Sequence, residues 1–184
     1  MIECNLNNVS KMFGDDLIFE NISFDIKSNE RIGLIGPNGS GKTTIMKILY
    51  GLENVQSGSI SFRKGTKIGY LDQIPDFENE ITVLEILKMA FIDVYNVKKE
   101  LDEISRSFSY LKDEELEIAL KKYTMVNDIF EGLKGYDVET NINKVCSGLK
   151  INDEMRNMQF SLLSGGEKTR VMLAKILLEQ PSLL

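Results

Sequence analysis

Apolar and polar positions alternate from the start of the chain: Ile2, Cys4 and Leu6 are separated by polar residues, and Ile22, Phe24 and Ile26 repeat the pattern after a Gly14-Asp15-Asp16 turn signal. Period-two alternation gives a strand one dry and one wet face, so two antiparallel strands are predicted. Residues 31–35, Arg-Ile-Gly-Leu-Ile, form instead a short, nearly continuous apolar run, the pattern of a strand buried on both faces of a parallel sheet. A helix follows over residues 43–50, where Ile45, Met46, Ile48 and Leu49 supply its apolar side and Gly51 its stop. Residues 59–62 and 67–71 are two further short strands, set off by Ser57-Gly58 and Lys64-Gly65.

From Thr82 the period changes to three and four. Thr82 and Glu85 have the spacing of a capping box, and Leu84, Leu87, Phe91 and Val94 begin a stripe that continues through Leu101, Ile104, Phe108 and Leu111. After the polar Lys112-Asp113-Glu114 the stripe resumes at Leu116, Leu120, Tyr123, Phe130 and Leu133. Each stripe needs a facing partner, and an antiparallel helical hairpin over residues 88–131 supplies it; two ordinary core helices satisfy the same periodicity. A last helix is signalled by Ser164 and Glu167, another Ser-x-x-Glu box, and runs through Val171, Leu173, Ala174, Ile176 and Leu177 to Glu179, ahead of Pro181.

The strongest chemical signal lies between the apolar run and the first helix. Residues 36–43 read Gly-Pro-Asn-Gly-Ser-Gly-Lys-Thr, a complete P-loop. Gly36, Gly39 and Gly41 let the backbone of Gly36-Pro37-Asn38-Gly39-Ser40-Gly41 curl so that successive N–H groups face phosphate oxygens, and the following helix adds its positive end. Lys42 is placed to reach β- and γ-phosphates and Thr43 to offer its hydroxyl to Mg²⁺, with Thr44 supporting the cluster. The bland alternative is a glycine turn with an incidental lysine. Leu163-Ser164-Gly165-Gly166-Glu167 is a second candidate, because capping explains Ser164 and Glu167 but not two intervening glycines. Paired glycines at a helix start permit close backbone approach and make a second ready phosphate site.

Composition narrows the picture without redirecting it. At 184 residues the chain is long enough for one domain with an insertion. No apolar stretch approaches a membrane span and no leader precedes the first strand, so a cytoplasmic protein is expected. Cys4 and Cys146 stand alone, which predicts two buried, reduced thiols and neither a disulfide nor a zinc site. A formal charge of −6 disfavours a general nucleic-acid binder. Histidine is absent, removing the commonest neutral-pH base and metal ligand.

With the P-loop and the Leu163-to-Glu167 motif in one chain, the sequence resembles an ATP-binding cassette (ABC) ATPase along essentially its whole length. The resemblance implies an α/β P-loop NTPase fold with an antiparallel β subdomain, a helical insertion, ATP and Mg²⁺ as cofactors, and a second cassette whose P-loop nucleotide is covered by this chain's signature at Ser164, Gly165, Gly166 and Glu167. Phe13 matches the aromatic that stacks on adenine, although a core aromatic at a strand end fits the same position. Gln73, in Tyr70-Leu71-Asp72-Gln73, matches the glutamine that approaches Mg²⁺ and the attacking water.

The run from Ser164 to Val171, the Tyr70-to-Gln73 segment and Gly135-Tyr136-Asp137-Val138-Glu139 are similar to those of ABC-F proteins, soluble twin-cassette ATPases many of which act on ribosomes as translation factors or antibiotic-resistance proteins. Their first cassette carries a helical arm where residues 88–131 lie here, so the ribosome and its RNA are the implied partners. Charge does not support that arm independently: residues 88–134 hold eight Lys or Arg against ten Asp or Glu, whereas a phosphate-tracking surface is locally basic. Lys98, Lys99, Arg106, Lys121 and Lys122 are its candidate RNA contacts; a solvated helical face explains them equally.

The family continues with an apolar strand ending in Asp-Glu and then a switch histidine, and the sequence ends at Pro181-Ser182-Leu183-Leu184 without them. It is therefore expected to be the N-terminal part of a first cassette, truncated before the Walker B strand, poorly stable alone and unable to turn over ATP because no base accompanies Lys42 and Gln73. The other readings are the nucleotide-binding subunit of a membrane transporter and a nucleotide-dependent interaction module without hydrolysis.

Overall fold

A computed structural model describes residues 1–71, 77 and 80–184 of the chain. Two compact units emerge, one formed by Met1–Leu71 with Gln180–Leu184 and the other by Asp72–Glu179.

In the first unit, β1 (Ile2–Phe13), β2 (Asp16–Lys27) and β3 (Ser57–Phe62) form an antiparallel sheet of order β2-β1-β3. The predicted alternations pair in register, Cys4 opposite Ile26 and Leu6 opposite Phe24. Leu6 and Val9 are both buried although three residues apart, which strict alternation forbids. A register shift between them resets the phase: Asn8 has φ 49° and Gly58 of β3, at φ +86°, passes so close that a Cβ would lie 2.3 Å from the Asn8 carbonyl oxygen. The helix α1 (Lys42–Tyr50) lays Ile45, Ile48 and Leu49 against Cys4, Leu6, Val9, Phe19 and Ile26. It ends on Gly51 at φ 88°, whose N–H and that of Leu52 cap the carbonyls of Ile48 and Lys47.

Two strand expectations need correction. Residues 31–35 are irregular, and Ile35 is 99% exposed. A strand of this type requires ladder partners for its N–H and C=O groups, and no partner strand is found among the described residues. Residues 67–71 contribute only a parallel bridge, Ile68 beside Leu183, closed by Gly69 N–H donating to the Leu183 carbonyl at 2.8 Å.

The second unit is helical: α2 (Val83–Lys88), α3 (Ile92–Ser107), α4 (Asp113–Gly132), α5 (Val138–Gly148), α6 (Asp153–Asn157) and α7 (Gly165–Leu178). Its core gathers Val83, Ile86 and Leu87 of α2, Ile142 and Cys146 of α5, Val171 and Ala174 of α7, and Leu101, Ile104, Val126 and Phe130 of α3 and α4. Thr82 and Glu85 form the expected capping box, but the helix they start breaks into a 3₁₀ turn at Met89–Phe91 before α3. Helices α3 and α4 run antiparallel, since Phe108 meets Tyr123 (centroids 5.6 Å apart) while Lys98, earlier in α3, lies over Phe130, later in α4. The buried side of α4 is Val126 and Phe130 with half-buried Tyr123; Leu120 and Leu133, expected inside, are exposed. Both thiols are free and buried as expected, and burial pushes the Cys4 thiol up to about 11.

Candidate nucleotide site

The P-loop is held at its base by the sheet. Gly41 has φ +83° and abuts β2, where an added Cβ would lie 2.7 Å from Ile18 Cγ2 and 2.8 Å from Phe19 Cδ1. Gly39 shares the left-handed φ, and a Cβ on Gly36 would meet Ser40 Oγ at 2.8 Å. These glycines let the chain turn tightly out of the irregular segment and straight into α1. The Lys42 ammonium bridges the turn, donating to the carbonyls of Gly36 at 2.8 Å and Pro37 at 2.7 Å. Ser40 N–H donates to the Pro37 carbonyl at 3.3 Å.

A cleft of about 250 Å³ opens on this loop, lined by Ile18, Asn38, Gly39, Gly41, Lys42, Thr43 and Thr44. The start of α1 has no side-chain cap and no acid in its first turn, whereas α2, α3, α4, α5, α6 and α7 each carry one there. Its partial positive charge is therefore not offset by a carboxylate of its own first turn, which suits anion binding. A cationic ammonium, hydroxyls at Thr43 and Thr44, and a glycine cradle that a Cβ would fill suit a triphosphate with its divalent cation. Ile18 was not singled out from sequence; its position one residue before the core Phe19 is the only local hint.

Phe13 ends β1, opposite Asp16, and is 46% exposed. It does not line the cleft at the loop. One ring face carries the Lys11 ammonium, 4.6 Å from the centroid. Gln73 lies outside the described residues.

In the second unit, Ser164 caps α7 and Glu167 returns the favour: the carboxylate accepts from Ser164 N–H at 2.9 Å and from the Ser164 hydroxyl at 2.7 Å. The Ser164 side chain, followed by its backbone N–H, holds the Glu167 carboxyl below its usual range. Gly165 and Gly166 are exposed, neither has positive φ, and among the described residues an added Cβ would meet nothing within 4 Å. Leu163 is the buried anchor of the motif. The hydroxyl is thus engaged with Glu167, and offering it to a phosphate means exchanging that bond.

The model of the ABC transporter family matches residues 19–184, from β2 through the P-loop and signature. The chain belongs to this family of ATP-binding cassettes. The cassette is 33% identical over 180 residues to the uncharacterized ABC transporter ATP-binding protein YfmM of Bacillus subtilis (strain 168), covering 98% of this chain and 35% of that protein. It is 30% identical over 167 residues to the energy-dependent translational throttle protein EttA of Escherichia coli (strain K12), covering 91% and 30%. It is 29% identical over 183 residues to the tylosin resistance ATP-binding protein TlrC of Streptomyces fradiae, covering 99% and 33%. The chain thus spans about a third of the length of these relatives. Among solved structures, the ATP-binding subunit of an ABC transporter aligns with TM-score 0.66 at 19% identity, over 97% of this chain and 63% of that one. An ATP-binding cassette of an ABC transporter aligns at TM-score 0.64 and 22% identity, over 98% and 66%. The fold is that of a P-loop ABC ATPase, and among the described residues no helix is long and apolar enough to cross a membrane.

Proposed function

We propose that the cassette is an ATP-binding half-site of a cytoplasmic ABC-F ATPase whose nucleotide cycle drives binding to and release from the ribosome. The observation that carries nucleotide binding is the Gly41-anchored loop with its Lys42 ammonium and uncapped α1 start. In this reading the ammonium leaves the two neutral carbonyls for β- and γ-phosphate oxygens, a stronger charge-assisted bond. Phe13 would stack on the base, and Thr43 and, by the resemblance, Gln73 are the residues that would hold Mg²⁺. When bound, the metal would supply charge neutralisation for the phosphates.

Ser164, Gly165, Gly166 and Glu167 serve a second cassette, in the same full-length chain or a dimer mate. Among the described residues no neighbour requires glycine at 165 and 166, and a facing nucleotide is the requirement this reading assigns to them. Among the described residues the cleft is lined by no carboxylate, and the sequence has no histidine; in this reading these 184 residues bind and orient ATP without sustained turnover, and hydrolysis belongs to the assembled pair. Steady phosphate release by the 184-residue chain, abolished by Lys42→Ala, contradicts that.

The ribosomal part rests on the ABC-F-like motifs and on the α3–α4 hairpin, which we assign as the arm. Two relatives are in keeping with it, one named as a translational throttle and one as a tylosin resistance protein. The transporter-subunit reading draws on the family description and on YfmM's name. Co-sedimentation with ribosomes in a non-hydrolysable ATP analogue, against recovery with membranes, separates the two; retention on ribosomes supports the first reading and membrane recovery the second.

A further inference from the structure

Lys11 is a charged side chain in an unusual position. It sits in the central strand β1 and is only 8% exposed. A buried ammonium must be paired and hydrogen-bonded to remain charged. Its partners are the Glu53 carboxylate at 2.9 Å and the Asn54 carbonyl at 2.8 Å, both in the turn that follows α1. The remaining direction is filled by the ring of Phe13, two residues along the same strand, 4.6 Å from the ammonium to the centroid. Since side chains at i and i+2 share a strand face, β1 itself delivers the cation to the aromatic. Phe13 nonetheless stays 46% exposed, so the ring carries the cation while nearly half of the residue remains open to solvent.

We infer that Lys11 is a positioning residue for nucleotide recognition: anchored by Glu53 and Asn54, it fixes the Phe13 ring as a one-sided stacking platform for the base. This rests on the proposed role of Phe13. A free phenyl ring at a strand end samples rotamers and loses that freedom on stacking; a cation–π contact restricts it beforehand and lowers the ordering cost of binding. The same cation draws π density toward itself, which makes the outer face a better partner for an electron-rich purine. The Lys11–Glu53–Asn54 contacts also tie the platform to the turn after α1, the helix whose first residue is Lys42, so the base platform and phosphate loop are braced by one element.

The test compares Mg²⁺-ATP with Mg²⁺-tripolyphosphate, which has the phosphates and no base, by titration calorimetry on the 184-residue chain. Lys11→Met keeps the stem and removes the charge; it is expected to weaken ATP about 3- to 10-fold and leave tripolyphosphate within about 2-fold. Lys11→Arg, which retains the cation over the ring, restores ATP affinity to within about 2-fold. In a Phe13→Ala background Lys11→Met has no further effect on ATP. Equal weakening of both ligands by Lys11→Met, or no change in either, overturns the inference and leaves Phe13 stacking intact. Should Phe13→Ala itself leave the ATP-to-tripolyphosphate ratio unchanged, the stacking role fails and the inference falls with it. If Lys11→Met does not fold, Glu53→Gln, which keeps an acceptor but loosens the anchor, is expected to lower the same ratio; an unchanged ratio there is equally fatal.

Discussion

Gly41 lies so close to Phe19 that a methyl group on its Cα would come within 2.8 Å of the ring's Cδ1. The glycine that lets the phosphate loop turn is thereby the one that seats α1 on the sheet, and stability and nucleotide binding share a residue. Gly41→Ala must hold an alanine at φ +83° and displace Phe19 and Ile18, at a cost of about 1–3 kcal/mol. Thermal unfolding should begin about 3–10 °C lower, and ATP affinity should fall alongside. Wild-type melting and affinity in the variant would show that the loop is not braced in this way.

Ser164 and Glu167 predict an acid-sensitive start to α7. Hydrogen bonds from the Ser164 side chain and backbone depress the Glu167 carboxyl below its ordinary value of 4.5. A depressed carboxyl binds its proton more readily when unfolded, so its stabilising contribution is complete above that ordinary value and is lost as pH falls through the lowered one. Urea unfolding should therefore separate wild type from Glu167→Gln at pH 7 and bring them together in strong acid. Ser164→Ala should cost about 1 kcal/mol at neutral pH. Curves that stay equally separated at every pH would refute the linkage.

The turn after α4 depends on a second glycine contact. A Cβ on Gly135 would lie 2.3 Å from Phe130, whose ring is 4% exposed and packs edge-on against Tyr136 at 5.0 Å. Gly135→Ala should destabilise the chain by about 1–3 kcal/mol. Phe130→Leu in the same chain should recover part of that loss, a non-additivity readable in a double-mutant cycle. Strict additivity would place the strain elsewhere.

Both cysteines should be silent in the native state. Burial removes access, and the Cys4 thiol, pushed up to about 11, yields little thiolate at neutral pH. Iodoacetamide at pH 7.5 should label neither residue in buffer and both in concentrated urea, as followed by mass spectrometry. Rapid labelling of the folded chain would contradict the packing of β1 and α5.

Much of this architecture is legible in the sequence because its signals are local. Both capping boxes and the Gly51 stop follow from residues within a few positions of one another, and the β1 and β2 alternations flank a turn signal at Gly14. What misleads is what depends on remote partners. Residues 31–35 have the composition of a buried strand, but a ladder must be completed by other strands, and composition cannot supply one. The phase of β1 after Leu6 is set by Gly58 in another strand, fifty-odd residues away. Helix α5 has Val138, Ile142 and Cys146 at helical spacing, but no side-chain cap marks its start. At the site, the glycines and Lys42 announced themselves, whereas Ile18 and Lys11 belong to ordinary strand patterns and gain their roles only from what packs beside them.

The central claim is that residues 36–43 bind ATP through the Lys42 ammonium and the start of α1. Titration calorimetry of Mg²⁺-ATP into the wild-type chain and into Lys42→Ala, with circular dichroism to show that both are folded, tests it most directly. The account predicts saturable one-site binding by wild type and a loss of at least about tenfold in the variant, the scale of one charge-assisted phosphate contact. Equal affinity in the two proteins, or no binding by a folded wild-type chain, would contradict it.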